Sequence, residues 1–256
     1  MIQRSSKRKG AKQGSFRYQG MFLWGLCLIS FQKLFCAGPV MHLWVLEQFC
    51  GICEVTDETA RRDLFLGCEF PDIRYISRCI SRKSTHPVIA NVCDIVAETT
   101  DCFTVGIHLH SWTDSVREEA IDPDVYKELA SYEKEKKATL LKFIEDEVLA
   151  DLYDGRSWCG YLNTILPEEL AFAGKNTIMS WHRLIRLSLS VRPSWLLFMQ
   201  SFRGPKLNLS TDKLYEWSFL IPQLAKDPFF KNHVESLLSH LRNELETLSD
   251  EKRREA

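Results

Sequence analysis

From residue 42 onward the chain alternates between apolar stretches at helical spacing and short polar connections. Residues 42–52 are apolar on nearly every face, which predicts a fully buried helix. Residues 58–70 form a shorter helix that Pro71 ends, and the last helix carries a narrow stripe of leucines on a polar background. Further helices are predicted at residues 87–100, 102–120, 126–153 (one long helix or two), 176–190 and 194–203. Thr, Val and Ile near residue 102 favour a strand at that one place.

Seven to nine helices and no alternating strand pattern predict an all-α fold, a single-domain multi-helix bundle. The bulk composition agrees with a globular protein: of 256 residues, 45% are hydrophobic and 26% are charged. The formal net charge of −1 excludes a global field that would recruit nucleic acid or an anionic membrane.

The first 38 residues have a different character. Residues 1–20 contain six basic side chains and no acid, and the segment Met21–Phe31 is almost entirely apolar. A basic region, a short apolar region and small residues at Ala37 and Gly38 predict a signal peptide over residues 1–38. The domain would then be 39–256, exported to the periplasm, the envelope or the medium. Eleven apolar residues are too few to span a bilayer, and the alternative is a buried N-terminal helix.

Nine cysteines are present, of which seven follow residue 38. An odd number leaves at least one thiol unpaired within the chain. Cys50 and Cys53 form a CxxC, but no second CxxC completes a zinc knuckle. Buried thiols or a few disulfides are therefore expected.

Two Asp/His pairs are the candidate chemistry. In "FPDIRYISRCISRKSTHP" Asp72 follows a proline and His86 comes fourteen positions later, while His110 and Asp114 are four apart on one face of a helix. Zinc takes about four nitrogen or oxygen ligands, and His42, on the buried helix, is a fifth candidate. Each pair alone is also typical of turn chemistry or of a solvated helical pair. The remaining histidines, His108, His182, His233 and His240, are expected to point away from the cluster.

The order of these residues, with "LGCEFPDIRYI…STHP", resembles the zinc-dependent phospholipase C and single-strand nuclease superfamily, in particular its bacterial phospholipase C-like members. The resemblance covers roughly residues 41–120. It implies an all-α fold of that type that holds one to three zinc ions. It places Asp72, His86, His110 and Asp114 around the first ion. Asp114 would bridge to a second ion that is also held by His42 and by the amino end of the processed chain.

The later part of the chain departs from that pattern. The superfamily has a further His after the HxxxD and a His-x-x-x-acid on the next helix, whereas no His occurs here between His110 and His182. The next long helix instead offers Glu147 and Asp151, four apart. We take both as candidate ligands, and such carboxylates would admit magnesium, manganese or calcium more readily than imidazoles do. The alternative is an ion pair between these acids and the basic residues of 74–83.

The resemblance implies a zinc-dependent hydrolase of phosphodiesters, with phospholipid as the expected substrate and peripheral contact with a membrane. Metal-assisted hydrolysis lowers the pKa of water toward ~7 for attack on phosphorus. Asp72 is the candidate catalytic residue, and Arg74, Arg78 and Arg82 are candidates to hold the phosphate. Loss of the later histidines leaves turnover open, and favours a scaffold or interaction protein that keeps one metal site. A nuclease would share the chemistry, with Trp112, Trp158 and Trp181 to stack bases, but no specific nucleic-acid partner is expected.

Overall fold

A computed structural model describes residues 38–77, 79–89, 91–93, 95, 101–202 and 209–255. Within these ranges the regular structure is helical and no β-strand is present, so the predicted all-α class is confirmed. The α-helices are α1 (Pro39–Ile52), α2 (Glu58–Glu69), α3 (Arg82–Thr85), α4 (Cys102–Ala120), α5 (Pro123–Leu129), α6 (Lys137–Leu152), α7 (Pro167–Phe172), α8 (Lys175–Ser190), α9 (Pro193–Ser201), α10 (Thr211–Leu224) and α11 (Pro228–Glu255). Two 3-10 helices, Phe70–Tyr75 and Gly155–Asn163, complete the described elements.

Helix α1 is the central helix of the bundle. It packs against α2, α4, α6, α8 and α11, and its residues from Val40 to Leu46 are all buried. Its sequence explains this position, because side chains that are apolar all round can be buried only if other helices surround them. One of the buried residues is His42, so the fold places an imidazole in the middle of the core.

Helices α2 and α4 approach each other at two glycines. A Cβ built on Gly106 would lie 2.3 Å from the carbonyl oxygen of Leu64, and one on Gly67 would lie 2.0 Å from that of Phe103. Backbone atoms cannot move aside as a side chain can, so only glycine allows this separation. This close packing brings the end of α2 against the middle of α4, where His110 lies.

Helix α6 carries three consecutive buried acids, each with its own partner. Glu145 accepts a hydrogen bond from Arg117 Nε at 2.7 Å. Asp146 Oδ1 accepts one from the backbone N–H of Met41 at 3.3 Å, and Glu147 accepts one from the backbone N–H of Ser194 at 2.9 Å. Successive side chains on a helix point about 100° apart, so α6 is anchored on three sides. Asp146 and Glu147 thereby accept hydrogen bonds at the N-termini of α1 and α9, where the first N–H groups have no partner within the helix.

We predict that Asp146→Asn removes a pH-dependent loss of stability. Burial, together with the Glu145 carboxylate, raises the pKa of Asp146 to about 8, against about 3.9 for an unfolded Asp. Between these values the folded state binds one more proton than the unfolded state, so stability falls as pH rises, by at most about 1.4 kcal/mol per pH unit. The asparagine oxygen still accepts from Met41, without the charge.

The free energies of unfolding of Asp146→Asn and of the wild type are measured by denaturant titration from about pH 5 to about pH 8. As pH rises, the variant should become more stable relative to the wild type. Asp151→Asn, at an exposed acid of the same helix, is the control. A constant difference between Asp146→Asn and the wild type across this range would contradict the prediction.

Several sequence-based assignments differ from the structure. The strand favoured near residue 102 is wrong, because α4 is one continuous helix whose first turn is capped by the Asp101 side chain. The segment 126–153, predicted as one long helix or two, agrees with the second alternative, because α5 and α6 are separate helices. The chain also folds into more helices than the seven to nine predicted, because short helices such as α7, and α10 with its internal Pro222, give weak periodic signals.

Other expectations fall on residues that the structure does not describe. The signal peptide lies there except for its last residue, Gly38, and half of the predicted helix 87–100 lies there as well. Within the described ranges the helices are all too short or too polar to cross a bilayer. No disulfide joins any two of the seven cysteines after residue 38, all of which the structure describes.

Candidate metal centre

Four elements bring the five predicted histidine and aspartate ligands together. His42 comes from α1, Asp72 from the 3-10 helix after α2, His86 from the residue that follows α3, and His110 and Asp114 from adjacent turns of α4. Pro71 lies in the first turn of the 3-10 helix Phe70–Tyr75, which follows α2 directly, and Asp72 is buried in the same turn. The convergence predicted from spacing alone is therefore present in the structure, whereas metal binding itself stays a prediction.

The ligand atoms lie at separations that suit a shared cation better than hydrogen bonds. Asp114 carboxylate oxygens lie 3.6 Å from His42 Nε2, 3.8 Å from His86 Nε2 and 3.9 Å from His110 Nε2. Asp72 Oδ1 is 3.9 Å from His86 Nε2. These distances exceed those of hydrogen bonds. Ligands at 2.0–2.2 Å from a tetrahedral ion are separated by roughly 3.3–3.6 Å, so a small contraction would close the shell.

Two overlapping groups of residues each have three ligand atoms within 4.8 Å of one another. One group is His42, His110 and Asp114, and the other is Asp72, His86 and His110. The His42 and His110 rings stack with centroids 3.8 Å apart, and His86 meets His110 edge-on at 5.1 Å. His110 belongs to both groups, so it is the central residue of the cluster.

Hydrogen bonds on the outer side of two rings determine which nitrogen faces the cluster. His110 Nδ1 lies 2.8 Å from the carbonyl oxygen of Cys68, which can only accept, so Nδ1 carries the proton. The Thr85 hydroxyl lies 3.0 Å from His86 Nδ1 and 3.2 Å from the Pro71 carbonyl oxygen, so it holds the outer side of the second ring. The Nε2 lone pair of His110 therefore points into the cluster, as in metal-ligating histidines, and the Thr85 contact leaves His86 Nε2 facing the cluster as well.

The Nε2 atoms of His42, His86 and His110 are buried and have no hydrogen-bond partner among the described residues. A buried polar atom without a partner is costly, and three around two carboxylates form a marked exception to the usual satisfaction of buried polar groups. A cation with nitrogen and oxygen ligands would satisfy all three. The donor set fits zinc, which accepts imidazole nitrogen and carboxylate oxygen together.

Burial sets the charge of these groups. It lowers the pKa of His42 and of His110 well below the usual value, and with the charges of Arg74 and Arg82 it lowers the pKa of His86 to about 4. Burial opposes ionisation of Asp114, but the surrounding groups, led by His110, outweigh it and hold the pKa of that carboxyl below its usual range. Neutral imidazoles beside an ionised carboxylate are the protonation states that a metal requires.

Two arginine side chains lie beside the aspartates of the cluster. Arg74 donates to Asp72 Oδ1 at 3.1 Å, and the half-exposed Arg82 has an Nη2 atom 3.9 Å from Asp114 Oδ2. Arg78, the third predicted phosphate ligand, lies outside the described residues. Lys142 is a further cation near the cluster that was not among the predicted site residues, and its charge lowers the pKa values of His42, His86 and Asp114. It stands one helical turn before the buried Asp146, a spacing that could have indicated it.

The structure does not bring Glu147 and Asp151 to the cluster, which corrects their assignment as ligands. Arg192 bonds to both acids, and Ser194 donates to Glu147 from its backbone and its hydroxyl. Glu147 and Asp151 lie on the side of α6 that faces the start of α9. Lys142 lies on another side of α6, and its charge acts on the histidines and on Asp114 of the cluster. The alternative ion pair does exist, but its cation is Arg192 and not a residue of 74–83.

The other histidines are also outside the two metal-capable groups. His182 bonds to Glu169 at 2.7 Å, His233 lies 3.2 Å from Glu145, and His240 is exposed. His108, two residues before His110, is on another side of α4, as the helical phase predicts.

We predict that Glu147→Ala destabilises the fold and leaves bound metal unchanged. The substitution removes the acceptor at the N-terminus of α9 and leaves a buried N–H unpaired, which costs about 1–3 kcal/mol. Asp151→Ala removes only an exposed partner of Arg192 and should cost less than about 1 kcal/mol. Thermal unfolding and metal analysis on the same samples check both values. Lost metal in a folded Glu147→Ala protein would restore Glu147 as a ligand.

No model of a known protein family matches the chain, and neither curated proteins nor solved structures give a match. Any functional assignment therefore depends on the cluster itself.

Proposed function

We propose that this protein is a zinc-dependent hydrolase of phosphodiesters, with phospholipids as the substrate class. The observation that supports it most is the convergence, on two aspartates, of three buried imidazole nitrogens that have no hydrogen-bond partner in the described part of the chain. A buried polar atom without a partner destabilises the folded state. Three such atoms, from segments far apart in sequence, would therefore face one point only if a ligand binds them there.

The charges around the cluster support an anionic substrate. Arg82 is half-exposed beside Asp114, and a guanidinium there can bind phosphate oxygens through two parallel hydrogen bonds. His42, Asp72, His86, His110 and Asp114 would hold the zinc ion, which would supply Lewis acidity and lower the pKa of water for attack on phosphorus. The chain's part is to orient His86 and His110 through Thr85 and Cys68, and to place cations where charge develops. Asp72, which shares its carboxylate between Arg74 and the cluster, remains our candidate catalytic residue.

A scaffold that keeps a single structural metal is the second candidate. The observation in its favour is that Glu147 and Asp151 are held by Arg192, which leaves the five clustered residues as the ligand set that the described residues offer. Such a protein would gain stability from the ion without turning over a substrate.

Metal content and turnover on one zinc-loaded preparation separate these functions. We expect bound zinc, and chelator-sensitive release of phosphorylated headgroup from phosphatidylcholine that zinc restores. Single-stranded DNA and RNA form the second arm of the assay. Bound zinc without hydrolysis of any substrate would favour the scaffold, and absence of bound zinc would contradict both functions.

A further inference from the structure

A pocket of about 380 Å³ lies between helix α8 and residues 162–165, where the second 3-10 helix ends. This volume is within the range of pockets that bind small molecules. One stripe of α8 lines the pocket, with side chains that recur every three or four positions: Lys175, Met179, His182 and Arg186. None of the lining residues belongs to the metal centre, so the pocket is a separate feature of the fold.

His182 is a buried polar side chain of this lining, with 3% of its surface exposed. Its Nε2 atom lies 2.7 Å from Glu169 Oε1, and Glu169 Oε2 accepts a hydrogen bond from the backbone N–H of Leu166 at 2.9 Å. Both oxygens of the carboxyl group are thereby held, so Glu169 fixes the orientation of the imidazole ring. Nδ1 is then the nitrogen of His182 that is available to a ligand in the pocket.

Arg186 connects the two walls of the pocket. Its Nη2 atom donates to the side-chain oxygen of Asn163 at 2.8 Å and to the carbonyl oxygen of Cys159 at 3.4 Å. Both contacts use Nη2, so Nη1 and Nε have no hydrogen-bond partner in the described part of the chain. The contact with Asn163 uses its amide oxygen, which leaves the amide NH₂ group as a donor. Because His182 and Arg186 are one turn apart on α8, they can approach the same ligand.

The lining of the pocket is basic. Lys175 and Arg183 line it together with Arg186, and no acidic side chain is among the lining residues. Lys175 forms no ion pair with any described residue, so its charge is available to a ligand. Met179 and Ile165 add apolar surface to the same pocket. These features together fit a small organic anion.

We propose that this pocket binds a phosphate monoester, with the phosphate held by Arg186, Asn163 and His182. The organic part of the ligand would lie against Met179 and Ile165. A phosphate group presents three acceptor oxygens to donors from different directions, whereas a carboxylate presents two oxygens in one plane. A guanidinium group also binds phosphate through two parallel hydrogen bonds. This binding site goes beyond the proposed hydrolase function and requires no metal.

Isothermal titration of the full chain with phenyl phosphate tests the binding. The protein is first treated with chelator, so that metal-bound phosphate does not contribute and the result does not depend on the hydrolase proposal. We expect one phenyl phosphate per chain. Benzoate has the same ring but one oxygen fewer and a smaller charge, so it should bind at least tenfold more weakly.

Met179→Glu should weaken the binding of phenyl phosphate at least tenfold, because a carboxylate at this exposed position would repel an anion in the pocket. Met179→Gln has nearly the same size without the charge and is the matched control, with an expected change below about threefold.

Arg186→Gln should also weaken the binding at least tenfold, because it removes the guanidinium donors. Its matched control is Arg156→Gln, at an exposed arginine that pairs with Asp154 outside the pocket. This control should bind phenyl phosphate as the wild type does. Thermal unfolding of each variant shows whether it is folded, and the exposed Met179 provides a test that does not depend on the contacts of Arg186.

Four results would overturn the proposal. Phenyl phosphate does not bind the wild type at millimolar concentration, or benzoate binds equally well. Alternatively, Met179→Glu binds phenyl phosphate as tightly as Met179→Gln does. Finally, binding is lost in Arg82→Gln and retained in Arg186→Gln, which would assign the anion to the metal centre.

Discussion

His110→Ala is expected to abolish zinc binding and all zinc-dependent hydrolysis. His110 belongs to both groups of potential ligands, so its removal opens both at once, whereas loss of His42 or His86 would leave one group intact. Loss of a residue that only orients a ligand typically weakens binding 10–100-fold, so loss of the shared ligand should weaken it by more than about 100-fold. Isothermal titration of the metal-free protein with zinc measures this directly.

His108→Ala is the matched control, because it removes an imidazole from the same helix two residues away. It should retain wild-type zinc affinity. Thermal unfolding gives a second readout: zinc should raise the melting temperature of the wild type and of His108→Ala, because a ligand that binds the folded state stabilises it. It should leave the melting temperature of His110→Ala unchanged. A His110→Ala protein with wild-type affinity would show that the cluster is not a metal centre.

Gly106→Ala is expected to destabilise the protein by more than about 3 kcal/mol. The new Cβ would lie 2.3 Å from Leu64 O and 2.6 Å from Cys68 N, and both are backbone atoms, so the helices themselves must separate. Separation would also lengthen the bond between His110 Nδ1 and the Cys68 carbonyl, which is 2.8 Å. Zinc affinity should therefore fall together with stability, although Gly106 is not a ligand.

Gly51→Ala serves as its control. Gly51 is exposed within α1, and its Cβ would meet no atom within 4 Å. Alanine has the higher helix propensity, so this substitution should stabilise the protein by about 0.5–1 kcal/mol. Chemical denaturation of both variants gives the comparison. Equal stability of Gly106→Ala and the wild type would contradict the close approach of α2 and α4.

The sequence by itself determined the helical class and the main buried helices. Residues 42–52 are apolar on nearly every face, and such a segment is stable only when other helices surround it. The spacing of His110 and Asp114 was also sufficient to place both on one face of a helix, because the helical period is fixed by backbone geometry. The same period places His108 and His110, which are two residues apart, on different sides of the helix.

The ligand set beyond α4 could be suggested by residue type but not fixed by periodicity. Asp72 and His86 lie in short 3-10 and helical turns, and their direction depends on Pro71, Thr85 and the carbonyls that they meet. Their role came from resemblance in residue order, and only tertiary structure shows their atoms within reach of His110. Likewise, only the distances from Arg74 to Asp72 and from Arg82 to Asp114 show that these arginines lie beside the candidate ligands.

Helix α6 shows most clearly what tertiary structure alone decided. Periodicity identifies a buried acid, but it does not say which neighbour that acid meets when a helix is surrounded on several sides. Glu147 is buried, whereas Asp151, four residues later on the same face, is exposed. Glu147 caps α9, and the residue whose charge acts on the cluster is Lys142. Sequence determines which faces of a helix avoid water, because hydrophobicity is local. The partner of each face depends on how distant segments pack, which no local pattern encodes.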